Sequence, residues 1–429
     1  MTKSLIRNLI LISLIFIIFS LPILYWLSLD GKWESVSEIE GRNLAIFPKN
    51  PFQNQKTGMK RLVQGYFNEG IDLFFNNLSK GTLQNQINNA IADQFPSRIN
   101  LTEFAHNAEN RLITSAYSIF PDNAFPASLH SSILVTRDKS RLFLPPTDFN
   151  DSIKQNIDYR IQNYIELSKN NPDINFYVFN LETLEYSKFN PLADLYINAD
   201  NGRSLAYFLE NKPDTLRFKN LDILNFQDYE RNFFKTDHHW NIHGALKAYQ
   251  LIYELLSENY EDINPMLNID RVKTLKGVNF LGSYARESLF PISPEQFEYL
   301  DIQIPSHKTF INGKEENYGA RDLYLSGNFP QGKYFNYYEG FYGSWKKLIT
   351  YEFENAPDRN LLIISSSHAR MNHMLIASHY RKTYVLELGK QDAKMISIKK
   401  LVGEYQIDDV LFMGQPEITY LSKEYAVSP

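Results

Sequence analysis

The sequence predicts an α/β protein: a parallel sheet flanked by helices, preceded by an apolar N-terminal helix and a short helical region. Three observations predict it. Short apolar runs alternate with amphipathic stretches late in the chain, hydrophobic residues fill 43% of 429 positions, and an uncharged apolar run stands near the N-terminus. That hydrophobic share excludes disorder as a description of the whole chain. Forty-four basic and 49 acidic side chains leave a net charge of -5. Nucleic acid is therefore not an expected partner, because phosphate binding needs clustered Lys and Arg. The sequence has no cysteine, which removes disulfides, thiol catalysis and Cys-ligated metals together.

Lys3 and Arg7 precede an apolar run over residues 8–29. At roughly 1.5 Å per residue a helix of that length spans a hydrocarbon core of about 30 Å. Tyr25 and Trp26 stand at its outer end, where amphipathic rings prefer the interface. Residues 1–7 read as a cytoplasmic tail, 8–29 as a transmembrane signal-anchor helix in contact with the lipid bilayer, and the rest as extracytoplasmic. A cleaved signal peptide is the rival, but no small-x-small site follows the run. Residues 30–118 read as a connector and a helical N-terminal region, with Leu62, Tyr66, Ile71 and Phe74 at helical spacing and a turn at 95–98.

Residues 119–429 read as the α/β domain. Its apolar runs are INFYVFN (174–180), LRFKNLDIL (216–224), LLIIS (361–365), TYVLEL (383–388) and DVLFMG (409–414), with helical patterns between the last three at 368–380 and 390–404. Strand–helix–strand–helix–strand is the pattern of a right-handed parallel unit. Tract 258–345, rich in Gly, Pro and Tyr, reads as irregular, the kind of segment that carries function or forms a lid.

The densest chemistry lies in Lys235-Thr236-Asp237-His238-His239-Trp240-Asn241-Ile242-His243, ahead of a helix with Ala245, Leu246, Tyr249, Ile252 and Leu256 on one face. If 235–240 is extended, Asp237 and His239 share a side and His238 faces the other. Asp237 can then hold the imidazole so that its far nitrogen accepts a proton. A nucleophile for such a base is available in Ser365-Ser366-Ser367-His368, where a strand ends and a helix begins. Ser367 is the first choice and Ser366 the second, since free N–H groups at a helix start can hold an oxyanion. By position alone, a serine there is an N-cap before it is a nucleophile. His239 and His243, four apart, offer a rival metal-binding reading, without the Glu of H-E-x-x-H.

The motifs TDHHW (236–240), EGRNLAIFP (40–48), DQFPSR (93–98), FLGSYARES (280–288), YYEGFYG (337–343) and LLIISSSHAR (361–370) resemble the DHHW family of exported bacterial proteins. They are similar, more distantly, to the SGNH-hydrolase-like O-acetyltransferases that modify alginate. The resemblance implies an SGNH-like catalytic domain over 119–429, with Ser367 as nucleophile, His239 as base and Asp237 orienting it. In that family the Ser turn reads K-D-S-Y-A-N; here it is Ser365-Ser366-Ser367-His368-Ala369-Arg370, so Arg370 would take the oxyanion role of the Asn. Further oxyanion or substrate candidates are His368, Gly340, Gly343 and Tyr284. Tyr284, Tyr337, Tyr338, Tyr342 and Trp345 are expected to be mainly core aromatics, with a sugar-stacking surface as the alternative. The expected activity is O-acetyl transfer, or ester hydrolysis, on a cell-surface polysaccharide, with no cofactor or metal. The expected partner is a multi-spanning membrane acyltransferase. A non-catalytic glycan-binding scaffold and a metal-dependent hydrolase using His239 and His243 are the alternatives.

Overall fold

The computed structural model describes residues 36–37, 42–45, 85, 89, 92–93, 98–117, 124–269, 271–316, 320–343, 348–388 and 396–429. The chain divides into two compact units, Met1–Ala108 and Glu109–Pro429. In the first, Val36–Ser37 pairs antiparallel with Arg42–Asn43, and the Ala45 N–H donates to the Asp93 carboxylate at 2.7 Å. The expected membrane span at 8–29 lies outside the described residues. Among those described, no helix is long and apolar enough to cross a membrane.

The second unit is built on an eight-stranded sheet. Its strands, in chain order, are β1 (Asn175–Leu181), β2 (Arg217–Leu221), β3 (Lys308–Ile311), β4 (Lys314–Glu315), β5 (Ile349–Glu352), β6 (Asn360–Ser365), β7 (Lys382–Glu387) and β8 (Asp409–Gly414). Their spatial order is β4-β3-β5-β7-β6-β8-β1-β2. Strands β7, β6, β8, β1 and β2 run parallel, while β5, β3 and β4 extend the sheet antiparallel. The sheet is therefore mixed, not purely parallel as expected.

The apolar runs explain the parallel half. Strands β1, β6 and β8 are buried at nearly every position, because both faces of the sheet are covered. Side chains alternate between two cores. Leu361, Ile363, Leu411 and Met413 join Trp240, Tyr249 and Ile252 on one face. Leu362, Ile364, Val410 and Phe412 join Ile157, Tyr164 and Phe208 on the other. Each fully buried side chain of this size contributes about 1.5–3 kcal/mol. The helix Ile242–Ser257 covers the first face with Ala245, Ala248, Tyr249, Ile252, Leu255 and Leu256, and Asn241 caps its start by accepting from the His243 and Gly244 N–H groups.

Three local expectations change. The helix expected at 368–380 is a 3-10 turn, Ser367–Met371, followed by a short α-helix, His373–Ala377. The helix after β7 is Ile398–Tyr405, capped by Ser397. Tract 258–345 is not irregular: it forms a hairpin of Val272–Phe280 with Glu295–Leu300, strands β3 and β4, and the short helices Ser283–Ser288, Ala320–Leu325 and Tyr337–Tyr342. Val272–Phe280 buries only Leu275, Val278 and Phe280, so it carries no apolar run for a sequence reading to detect.

Candidate active site

The segment between Phe233 and Trp240 is a bent loop closed by a bridge between those two residues, not a strand. Its backbone is held at almost every step. Arg141 donates through Nη1 to the Phe234 and Phe233 carbonyls at 2.8 and 3.3 Å, and Leu142 N–H donates to the Lys235 carbonyl at 2.9 Å. Glu295 accepts from the Lys235 and Thr236 N–H groups and from the Thr236 hydroxyl, at 2.9, 3.0 and 2.8 Å. Trp240 anchors the end of the loop with no exposed surface.

Asp237 is 1% exposed. Its Oδ1 accepts from the His239 N–H at 3.0 Å, the short side-chain loop by which Asp commonly builds turns, and lies 2.5 Å from His239 Nδ1. Its Oδ2 accepts from the Ser283 N–H at 2.6 Å. Burial alone would raise this carboxyl, but the charges of His239 and His238, the imidazole hydrogen bond and the Ser283 amide hold it well below the usual carboxylate range. Gly282 makes the approach possible, since a Cβ there would overlap the Asp237 side chain.

On the other side of the imidazole, His239 Nε2 lies 2.9 Å from Ser367 Oγ. Asp237, His239 and Ser367 thus form one hydrogen-bonded line. With Nδ1–H given to the carboxylate, Nε2 is the nitrogen that accepts from the hydroxyl. Ser367 reaches this place because β6 ends at Ser365, in the parallel part of the sheet, and the 3-10 turn begins two residues later. Tyr338 closes the site from one side. Its ring stacks on His239 with centroids 3.8 Å apart and planes 13° apart, and its hydroxyl donates to the Ser367 carbonyl at 2.8 Å.

The neighbouring serines are otherwise engaged. Ser366 donates to Gln415 Oε1 at 2.7 Å, and Ser365 Oγ lies 3.0 Å from His373 Nε2. His238 does not face away as expected. The bend brings its ring to 3.8 Å from that of His239, and its Nδ1 lies 2.6 Å from Ser283 Oγ. His368 is 3% exposed, and its Nε2–H donates to the His238 carbonyl at 3.2 Å. Burial and the neighbouring His239 and His238 charges push the His368 pKa well below its ordinary value.

Four further oxyanion or substrate candidates have other contacts in the structure. Arg370 spends its guanidinium on Glu387, at 2.7 and 2.5 Å, and on the Gly343 carbonyl at 2.8 Å. Gly343 is thus tied through its oxygen. Gly340 gives its N–H to the Asn336 carbonyl, and a Cβ there would overlap the Tyr324 hydroxyl, so this glycine serves packing. Tyr284 is 7% exposed and lies 6.1 Å from the His238 ring, as a wall of the site and not as a stacking platform. Tyr337 and Tyr338 are also buried. Trp345 lies outside the described residues.

The metal reading on His239 and His243 also fails. Helix Ile242–Ser257 starts between them and places His243 Nε2 3.3 Å from Glu298 Oε2. Both ring nitrogens of His239 are already engaged. Among the described residues, the His and carboxylate groups spaced for a metal ion are instead His238, His239 and His368, within 4.8 Å of one another.

Sequence reasoning reached Asp237, His239 and Ser367, and missed Glu295, Gly282, Ser283 and Gln415. Gly282 and Ser283 sit inside FLGSYARES, a motif in which only Tyr284 was given a role.

No protein-family model matches the chain, and no curated protein matches it. Among solved structures, Bacillus cereus PatB1 with a sulfonyl adduct aligns at TM-score 0.54 and 17% identity, over 69% of this chain and 98% of that one. A DHHW family protein from Eubacterium siraeum DSM 15702 aligns at TM-score 0.51 and 16% identity, over 69% and 94%. The O-acetyltransferase domain of Pseudomonas putida AlgJ matches at TM-score 0.35 and 10% identity, over 67% and 91%, too distant to carry an argument. At these identities the likeness is one of fold. The chain resembles a DHHW family protein in fold as well as in the TDHHW motif.

Proposed function

We propose that the chain is an exported, membrane-anchored serine acyl-transfer enzyme of the SGNH-hydrolase type, an O-acetyltransferase or acetylesterase of a cell-surface polysaccharide. One observation carries the reading: a hydroxyl 2.9 Å from an imidazole whose far nitrogen rests on a buried carboxylate. Ser367 attacks the acyl carbonyl as its proton passes to His239 Nε2. The bond to the leaving group breaks, and that group takes the proton from His239. The acyl-serine is then opened by a sugar hydroxyl, or by water, whose proton returns through His239. Asp237 stabilises the imidazolium in both halves. Since Arg370 is committed elsewhere, the oxyanion falls to the first N–H groups of the turn at Ser367, which have no intrahelical acceptor.

The fold shared with PatB1 supports this reading, because a sulfonyl adduct is what an activated nucleophile forms. Residues 8–29 supply the anchor, and a multi-spanning acyltransferase that carries acetyl groups across the bilayer supplies the donor. Ser367→Ala is expected to lower turnover of p-nitrophenyl acetate by at least about 10³-fold while the protein stays folded. Wild-type turnover in that variant overturns the proposal. A non-catalytic glycan-binding scaffold is the second reading, favoured by the locked Arg370. Absence of labelling by an active-site serine phosphonate decides for it.

A further inference from the structure

Among the described residues, the guanidinium groups of Arg141, Arg160 and Arg370 each hold carbonyl or carboxylate partners, although Arg141 Nε and Arg160 Nε and Nη1 are buried without one. Arg141 donates to the Phe233, Phe234 and Glu230 carbonyls. Arg160 donates to Tyr164 and to the Ile418 and Thr419 carbonyls. Arg370 holds Glu387 and the Gly343 carbonyl. Arg286 differs. It is only partly exposed, its Nη1 is closed off from solvent, and its guanidinium makes no hydrogen bond or ion pair with any described residue.

Its position makes the vacancy informative. Arg286 lies on the short helix Ser283–Ser288, its N–H bonded to the Gly282 carbonyl. It stands three residues after Ser283, on the same helical face. Ser283 is the residue that donates to Asp237 and meets the His238 ring. The Arg286 charge is felt by His238, and Asp237 and Glu339 act on it in turn. Neither carboxylate forms an ion pair with it. Asp237 is filled by the His239 and Ser283 donors, and Glu339 Oε2 takes the Asn336 amide at 2.9 Å. A guanidinium held in a partly desolvated place without a counter-charge is costly, and the fork of donors matches a carboxylate or phosphate in shape. Burial is also what sets the Arg286 pKa below its ordinary value. The side chain of His238, which is 39% exposed, marks where solvent reaches the same place.

We propose that Arg286 is a binding residue for an anionic group, a carboxylate or a phosphate, carried by the acceptor glycan next to Ser367. The assignment of that group to an acceptor rests on the acyl-transfer reading. The anion completes the guanidinium, places a sugar hydroxyl near His239, and restricts the enzyme to charged polysaccharides.

The test uses the full chain with Ser367→Ala, which binds without turnover. It is titrated by calorimetry with three oligosaccharides of equal length: one bearing glucuronic acid, one bearing phosphodiesters, and one uncharged. At least one anionic ligand is expected to bind roughly tenfold tighter than the neutral one. Adding Arg286→Gln is expected to remove that preference, a loss of roughly 10- to 100-fold. Arg286→Lys, which keeps the charge without the fork, is expected to fall between and serves if the Gln variant does not fold. Equal binding of charged and neutral ligands, or a preference that survives Arg286→Gln, overturns the proposal. Which anionic ligand responds tells carboxylate from phosphate. Phosphonate labelling of the unmodified chain reports the Ser–His line separately. A protein that labels but ignores charge loses this inference alone, and one that prefers anions but does not label loses the acyl-transfer reading.

Discussion

Two buried aspartates stand at opposite ends of the parallel strands, and the protein treats them in opposite ways. Asp237 is 1% exposed and Asp409 is fully buried. Asp409, at the start of β8, accepts from Asn175 and the Tyr260 and Tyr380 hydroxyls, each at 2.8 Å. These donors are neutral and do not outweigh the cost of burial, which raises its pKa. Asp237 has two imidazoles beside it and is kept ionised. Burial is common to both. The partner's ability to take up positive charge separates a carboxylate held in its charged form beside an imidazole from one that ties strand ends together.

The comparison is broken most sharply by Asp237→Asn. Turnover is expected to fall about 10⁴-fold, because the amide cannot hold the same imidazole tautomer or stabilise its charge. A loss below tenfold in acetyl-ester hydrolysis would show that the pair is not coupled to the nucleophile. Asp409→Ala is expected to cost about 3 kcal/mol in urea unfolding, with turnover per folded molecule unchanged, since three donors lose their acceptor. Asp409→Asn should cost less than the alanine change, because the amide oxygen still accepts hydrogen bonds and no charge is left buried.

Acid separates the groups further. Burial lowers His373 to about 3, reinforced by the Arg370 charge, and lowers His379 to about 4 against a hydrogen bond to the Asn264 carbonyl. The unfolded chain binds these protons from about pH 6.5 downward and the folded chain does not. Their stabilising share is therefore whole above pH 6.5 and is lost as pH falls toward 4, by about 1.4 kcal/mol per unit for each. His379→Gln should flatten the measured slope by that amount. Asp237 adds a loss in the same direction only below the ordinary carboxylate range. Asp409, with a raised pKa, runs the other way: its penalty is present at neutral pH and relieved in acid. The smallest effect is expected from Tyr338→Phe, which removes the hydrogen bond to the Ser367 carbonyl but keeps the stacked ring. Turnover should drop by less than about tenfold.

The sequence made the doubly covered strands legible, because β1, β6 and β8 must be apolar on both sides. It also singled out Asp237, His239 and Ser367, which the structure brings into one hydrogen-bonded line and whose residue types are informative in themselves. It did not reveal β3 and β4, of which no residue is fully buried and which lack any apolar run. The condition that 235–240 be extended is not met, yet Asp237 and His239 still share a side, because an Asp turn brings them together by bending. Arg370 was given to an oxyanion for want of knowing that Glu387, at the far end of β7, would claim it. Arg286 carried no signal at all, since what distinguishes it is a partner that the rest of the chain withholds.

The hydroxyl and the imidazole that meet over Trp240 and Tyr338 are separated by 128 positions of chain. Neither is unusual in isolation. Until the whole sheet has closed, a nascent polypeptide holds only an ordinary alcohol and an ordinary ring, unable to consume activated donors. Whatever reactivity the pair has therefore begins only when the sheet has closed, and ends when the shape is lost.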